Sequence, residues 1–186
     1  MGDGSGVRWA YPFSASRGMG RLAQRCANLR AEVDLEPLDW AGSLATAIRE
    51  QRRCGKILLG AWRPSPTGPE RPSATTLVDR AAVELDLCPL GSAWLSVGPP
   101  EAERVFRRLL EQDMAYDSKV LAPEPALALA RRFFEPFSSG PACLSSATWT
   151  ERRVDGWSPV GTATFETALA VVSPEGVGLF YVGDED

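Results

Sequence analysis

Histidine is absent from the 186 residues. It is the one side chain whose ordinary pKa puts a charge change near neutrality, and it is the commonest metal ligand. Ser-His-Asp triads, Cys-His nucleophiles and His-bearing zinc sites are therefore excluded. Lysine is nearly absent as well: arginine outnumbers it 18 to 2, as GC-rich coding would produce. No apolar run approaches the roughly 20 residues that cross a bilayer, the longest being Ala126–Ala130 and Ala168–Val172. The first residues carry no apolar core of a secretory signal, and Gly6 stands where a myristoylation motif wants Ser or Thr. A cytoplasmic, reduced protein without membrane attachment is the expectation.

The four cysteines, Cys26, Cys54, Cys88 and Cys143, form no CxxC pair. A zinc ribbon or a thioredoxin-like site is excluded on spacing, and scattered thiols of this kind behave as small buried hydrophobes. No metal or cofactor is expected.

What is present suits one folded domain spanning 1–186. Hydrophobic residues make up 44% and charged residues 24%, which excludes disorder of the whole chain. The net charge of −4 is uneven, basic in the first third and acidic in the last. A pI near 5.0 argues against nucleic acid as a partner.

Residues 1–6 read as a flexible leader and Val7–Phe13 as a short strand. Leu22, Cys26, Leu29 and Val33 recur at helical spacing over Arg17–Val33. A second helix is expected over Leu44–Cys54, capped by Asp39 or Ser43, with Gly55 beyond its end. Lys56–Trp62 is apolar enough for a central strand. Residues 63–76 carry four prolines and read as a long loop. Val83–Leu87 alternates apolar and acidic, the period of a half-buried strand, and would pair with Ala93–Val97 in a hairpin.

Pro99 and Pro100 then open the clearest helix, with Ala102, Val105, Phe106, Leu109 and Leu110 on one stripe. Another helix starts at Pro125, with Leu127, Ala130, Phe133 and Phe134 facing inward, and stops at Gly140-Pro141. Strands follow over Leu144–Val154, Thr162–Ser173 and Val177–Gly183, the last two joined by a turn at Pro174-Glu175-Gly176. Without βαβ alternation, the order predicts an α+β fold: one domain with a mostly antiparallel or mixed sheet, about four to five helices and a C-terminal hairpin.

Candidate chemistry is sparse. Gly18 and Gly20, flanked by Arg17 and Arg21, suggest an anion-holding turn at a helix N-terminus, although no third glycine or phosphate-loop lysine is present. Asp113 and Asp117 are four apart and would share a helical face, as paired carboxylates for acid–base work do. Ser118-Lys119 and Ser138-Ser139 are the only hints of a serine nucleophile, and no G-x-S-x-G exists. Six tryptophans are many for this length. Trp62 and Trp94 belong to apolar runs and read as core, whereas Trp157 lies among loop-forming residues as an exposed anchor of the kind interfaces use. Around it, Asp155, Glu166, Glu175, Asp184 and Glu185 would make an acidic surface able to steer a basic partner.

No catalytic residue is assigned. The expectation is a non-enzymatic protein-binding module that in profile resembles a bacterial immunity or antitoxin protein, an inhibitor occluding a basic toxin through that surface. The alternatives are a small enzyme or anion-binding protein working with carboxylates and arginines, and a scaffold subunit of a larger bacterial assembly.

Overall fold

The C-terminal hairpin organises the molecule. In the computed structural model, which describes residues 15–66, 72–150 and 154–185, strands β7 (Phe165–Ser173) and β8 (Gly176–Asp184) pair antiparallel along their whole length. Both strands are buried on both faces. The other members of their sheet are β1 (Val33–Pro37), β2 (Lys56–Pro66), β3 (Leu95–Val97) and β4 (Ala142–Ser145). The order across the sheet is β1-β2-β8-β7-β4-β3, with every neighbouring pair antiparallel. A separate two-stranded ribbon joins β5 (Ala147–Trp149) to β6 (Val154–Trp157). The helices are α1 (Ala15–Glu32), α2 (Asp39–Gln51), α3 (Ala74–Glu84), α4 (Pro99–Glu111) and α5 (Pro123–Phe134). The fold is α+β, a single domain.

Two hydrophobic cores follow from the pleat, because successive strand residues point to opposite faces. On one face Leu169, Val171, Phe180 and Val182 meet α2, α4 and α5. On the other Ala168, Ala170, Leu179 and Tyr181 meet Leu77, Val78, Ala81 and Ala82 of α3. Helices thus cover both faces of an antiparallel sheet. Aromatic rings join helices to sheet: Phe106 of α4 stacks on Phe133 of α5 at 4.8 Å between centroids and tilts against Phe180 at 4.3 Å.

The expected stripe of α4 is fully buried. The hairpin turns at Pro174 and Glu175 as read, and Trp62 and Trp94 are both core. Other expectations are corrected. Asp39 is the first residue of α2 rather than its cap, and that helix stops at Gln51. Gly55, just beyond, adopts a left-handed φ of +67°. Strand β2 continues through Arg63–Pro66, where it pairs with β1, a strand not anticipated, and Ala74 already begins α3. The proline-rich loop is therefore shorter than 63–76, and residues 67–71 lie outside the described residues. So do 1–6 and Val7–Phe13.

The largest correction concerns Val83–Leu87. There is no strand or hairpin there: Val83 and Glu84 end α3, Leu85 and Asp86 turn the chain, and Leu95–Val97 pairs with β4 instead. Helix α3 starts because Ser73 Oγ accepts the Thr76 N–H at 3.1 Å, a side-chain cap. In α5 the inward face is Ala126, Leu129, Ala130 and Phe133, leaving Leu127 and Phe134 half-buried. The stretch Leu144–Val154 is not one strand but the end of β4, then β5 and the first residue of β6.

Candidate functional site

Helix α4 ends at Glu111, and the following loop is pinned from two directions. Gln112 and Lys119 form an isolated bridge, and the Asp113 carboxylate accepts N–H groups from Tyr116 at 2.6 Å and Ser118 at 3.0 Å. Behind the loop, Met114 donates its backbone N–H to Asp184 Oδ2 at 2.9 Å. Asp184 also holds the buried Arg52, whose guanidinium caps α4 by donating to the Leu109 carbonyl at 2.9 Å and reaches the Cys54 carbonyl. A buried ion pair thus fixes where the loop leaves the helix.

Across from this loop stands the β5–β6 ribbon. Trp157 is in β6, opposite Ala147, and its ring tilts over Phe165 at 6.1 Å. It is 41% exposed. Trp149, on β5, has its indole N–H buried without an acceptor. Between loop and ribbon lies a pocket of about 260 Å³, lined by Arg108, Asp113 and Asp117 on one side and by Trp149, Trp157 and Phe165 on the other. Glu166 contributes to its wall. Asp117, in a left-handed conformation at φ 55°, pairs with Arg108 at 2.9 Å.

Two sequence expectations that looked like rivals meet here. The carboxylates Asp113 and Asp117 line the same pocket as the aromatic anchor Trp157. They do not share a helical face, however, because α4 has already ended: Asp113 serves as a turn acceptor and Asp117 as the partner of an arginine. Trp157 lies on a strand rather than in a loop, with Asp155 exposed two residues earlier on the same ribbon. Trp149, Met114 and Phe165 complete the pocket without any sequence signal that marked them beyond being apolar.

The expected acidic surface is only partly a surface. Glu166 is 1% exposed and Asp184 3% exposed, so neither can be an interface residue. Glu166 accepts backbone N–H groups from Val160 at 2.7 Å and Gly161 at 2.9 Å, and the Tyr181 hydroxyl at 2.9 Å. Charge predicted exposure, and donors assembled by the fold reversed it. Glu185 is exposed beside the pocket end of the sheet, accepting the Thr164 hydroxyl at 2.9 Å. Glu175 sits in the β7–β8 turn, about 30 Å away along nine-residue strands, where the hydroxyls of Ser139 and Ser173 hold its carboxyl below the usual range.

The glycines of the anion-binding expectation, Gly18 and Gly20, are the fourth and sixth residues of α1 rather than a turn preceding it. Arg21 is exposed on α1, and the Arg17 side chain lies outside the described residues. Ser118, Lys119, Ser138 and Ser139 are all exposed, with no desolvated lysine to serve as a base.

Three of the thiols are shifted away from reactivity. Burial pushes Cys143 up to about 11 and raises Cys54 and Cys88, the opposite of what a nucleophile needs. Only Cys143 is fully buried; the other three are half-buried, less sheltered than expected. Among the described residues no group of three or more His, Cys, Asp or Glu is placed to hold a metal ion. No helix of the described residues is long and apolar enough to cross a membrane. Comparison with protein-family models, with curated proteins and with solved structures found no match.

Proposed function

We propose that this chain is a protein-binding module that docks its partner at the cleft between the α4–α5 loop and the β5–β6 ribbon. The observation that carries the reading is Trp157, a large aromatic 41% exposed beside a pocket. Tryptophan is the residue most enriched among interface anchors, and it is most effective where a pocket lies at hand. The exposed acids Asp155 and Glu185 flank it and favour a basic partner.

Catalysis has less support. The carboxylates at the pocket are occupied as a turn acceptor and an ion-pair partner, and the thiols with shifted pKa values are shifted away from reactivity. A built cleft whose carboxylates are already engaged suits an inhibitor that works by occlusion. The bacterial immunity or antitoxin class, acting on a basic toxin inside the cell, is the form of that role we favour.

The test is to mix the purified chain with the product of the gene adjacent to its own, and to follow the complex by calorimetry and by rescue of cells expressing that product. A one-to-one complex weakened at least tenfold by Trp157→Ala, with an unchanged melting temperature, is expected. No complex and no rescue would overturn the proposal.

A further inference from the structure

From the chemistry of this cleft we infer its ligand, resting on the binding role just proposed: the pocket takes a single cationic side chain, lysine or arginine, from the partner protein. Two properties of its wall converge on that chemistry. Two carboxylates, Asp113 and Asp117, line it against one guanidinium, that of Arg108. Asp117 holds Arg108 through Oδ1. Asp113 is bonded to backbone N–H groups alone, one on each oxygen. A carboxylate oxygen has two lone pairs, so each Asp113 oxygen retains one for an incoming donor. The pocket therefore carries formal negative charge that its own arginine does not balance.

The second property is aromatic. Trp149, Trp157 and Phe165 form the opposite wall, and the faces of such rings attract a cation through their quadrupoles, indole most strongly. Carboxylates on one side and indoles on the other select a group that is positively charged and partly apolar. The aliphatic stem and charged head of lysine or arginine fit that description. An anionic ligand would meet only Arg108, already paired, and a neutral one would leave the acids unanswered. At about 260 Å³ the pocket has room for one such side chain but not for an element of secondary structure. The buried Trp149 N–H without an acceptor offers a donor beside it for a carbonyl of the arriving chain.

The probes are n-butylguanidinium and n-butylammonium, side-chain fragments of the proposed ligands, with butyrate as the anionic control. Each is titrated into ¹⁵N-labelled protein, and the indole N–H signals of Trp149 and Trp157 are followed, assigned from Trp149→Phe and Trp157→Phe. Both cations should shift those signals saturably at millimolar concentration, and butyrate should not. Asp113→Asn together with Asp117→Asn should weaken the cations at least fivefold. Should the double variant fold poorly, Asp117→Asn alone, at an exposed side chain, should weaken them at least twofold. No saturable shift, an equal response to butyrate, or unchanged affinity in the folded Asn variants would overturn the inference. A chain that binds its protein partner through Trp157 yet ignores both cations would overturn the ligand chemistry and leave the binding role standing. One that takes the cations but no protein partner would do the reverse.

Discussion

Arg52 and Asp184, 132 positions apart in the chain, form a buried ion pair in which Nη2 stands 3.0 and 2.8 Å from the two carboxylate oxygens. The pair ties the end of α2 to the end of β8. Through Leu109 and Met114 it also ties the end of α4 and the loop that carries Asp113. Losing one partner strands the other charge away from water.

Asp184→Asn should therefore cost about 3–5 kcal/mol, the usual penalty for breaking a buried pair. Urea unfolding measures it. An apolar double replacement, Arg52→Met with Asp184→Leu, should recover part of that loss, because neither variant side chain then needs solvation. A double variant no more stable than Asp184→Asn would show that the hydrogen bonds to Leu109 and Met114 dominate.

A second buried acid gives a separate test. Asp79 of α3 accepts N–H groups from Leu90 and Gly91 and the Trp94 indole at 2.7 Å, while Arg25 of α1 pairs with it. Trp94→Phe leaves that carboxylate one donor short and should cost about 1–3 kcal/mol. Thermal unfolding would register it, with little change at the cleft.

Gly161 has no room for a side chain. A Cβ there would stand 2.5 Å from the Tyr181 hydroxyl and 2.7 Å from Glu166 Oε2. Gly161→Ala should destabilise by about 1–3 kcal/mol through overpacking. Thermal unfolding measures it, and an unchanged melting temperature would show that Tyr181 and Glu166 give way freely.

The pH profile follows from what is missing and what is buried. No side chain has an ordinary pKa between about 5 and 8 when histidine is absent, so the melting temperature should be flat from about pH 6 to 8. Burial pushes the Cys143 thiol from 9.0 up to about 11. Burial, and then the neighbouring Glu166 carboxylate, raise the Tyr181 hydroxyl above 10.0. Both groups ionise more easily unfolded than folded, so their contribution is complete below the unfolded values and is lost as pH rises through the folded ones. The melting temperature should fall steadily above about pH 9, and less steeply in Cys143→Ala. A step between pH 6 and 8 would expose a titrating group with a different environment.

How much of this was legible in the residues depends on where each signal is generated. Helix α4 was, because its apolar stripe is a property of spacing alone. The β7–β8 hairpin was, because its turn and its apolar runs are both local. Helix α3 was not: Thr75, Thr76, Val78 and Val83 are β-branched, and Asp79 and Arg80 interrupt its apolar face with charges that are buried in the fold. Their partners, Leu90, Trp94 and the Val33 carbonyl, lie up to 47 residues away. Strand β1 has only Val33 fully buried and is defined by pairing with β2 rather than by its own pattern.

The site divides in the same way. Trp157 could be singled out from its loop-like neighbours, and Asp113 and Asp117 from their chemistry. That they face one another could not be read, since it needs the end of α4, a turn and a strand pair that begins only at Ala147. By itself the sequence determined the class of fold, the core helix, the final hairpin and the absence of histidine chemistry, all features of composition or short-range period. The tertiary structure decided which acids are buried, where the aromatic wall stands and that carboxylates complete it. Burial of a charge depends on donors distant in the chain, and no local pattern encodes their arrival.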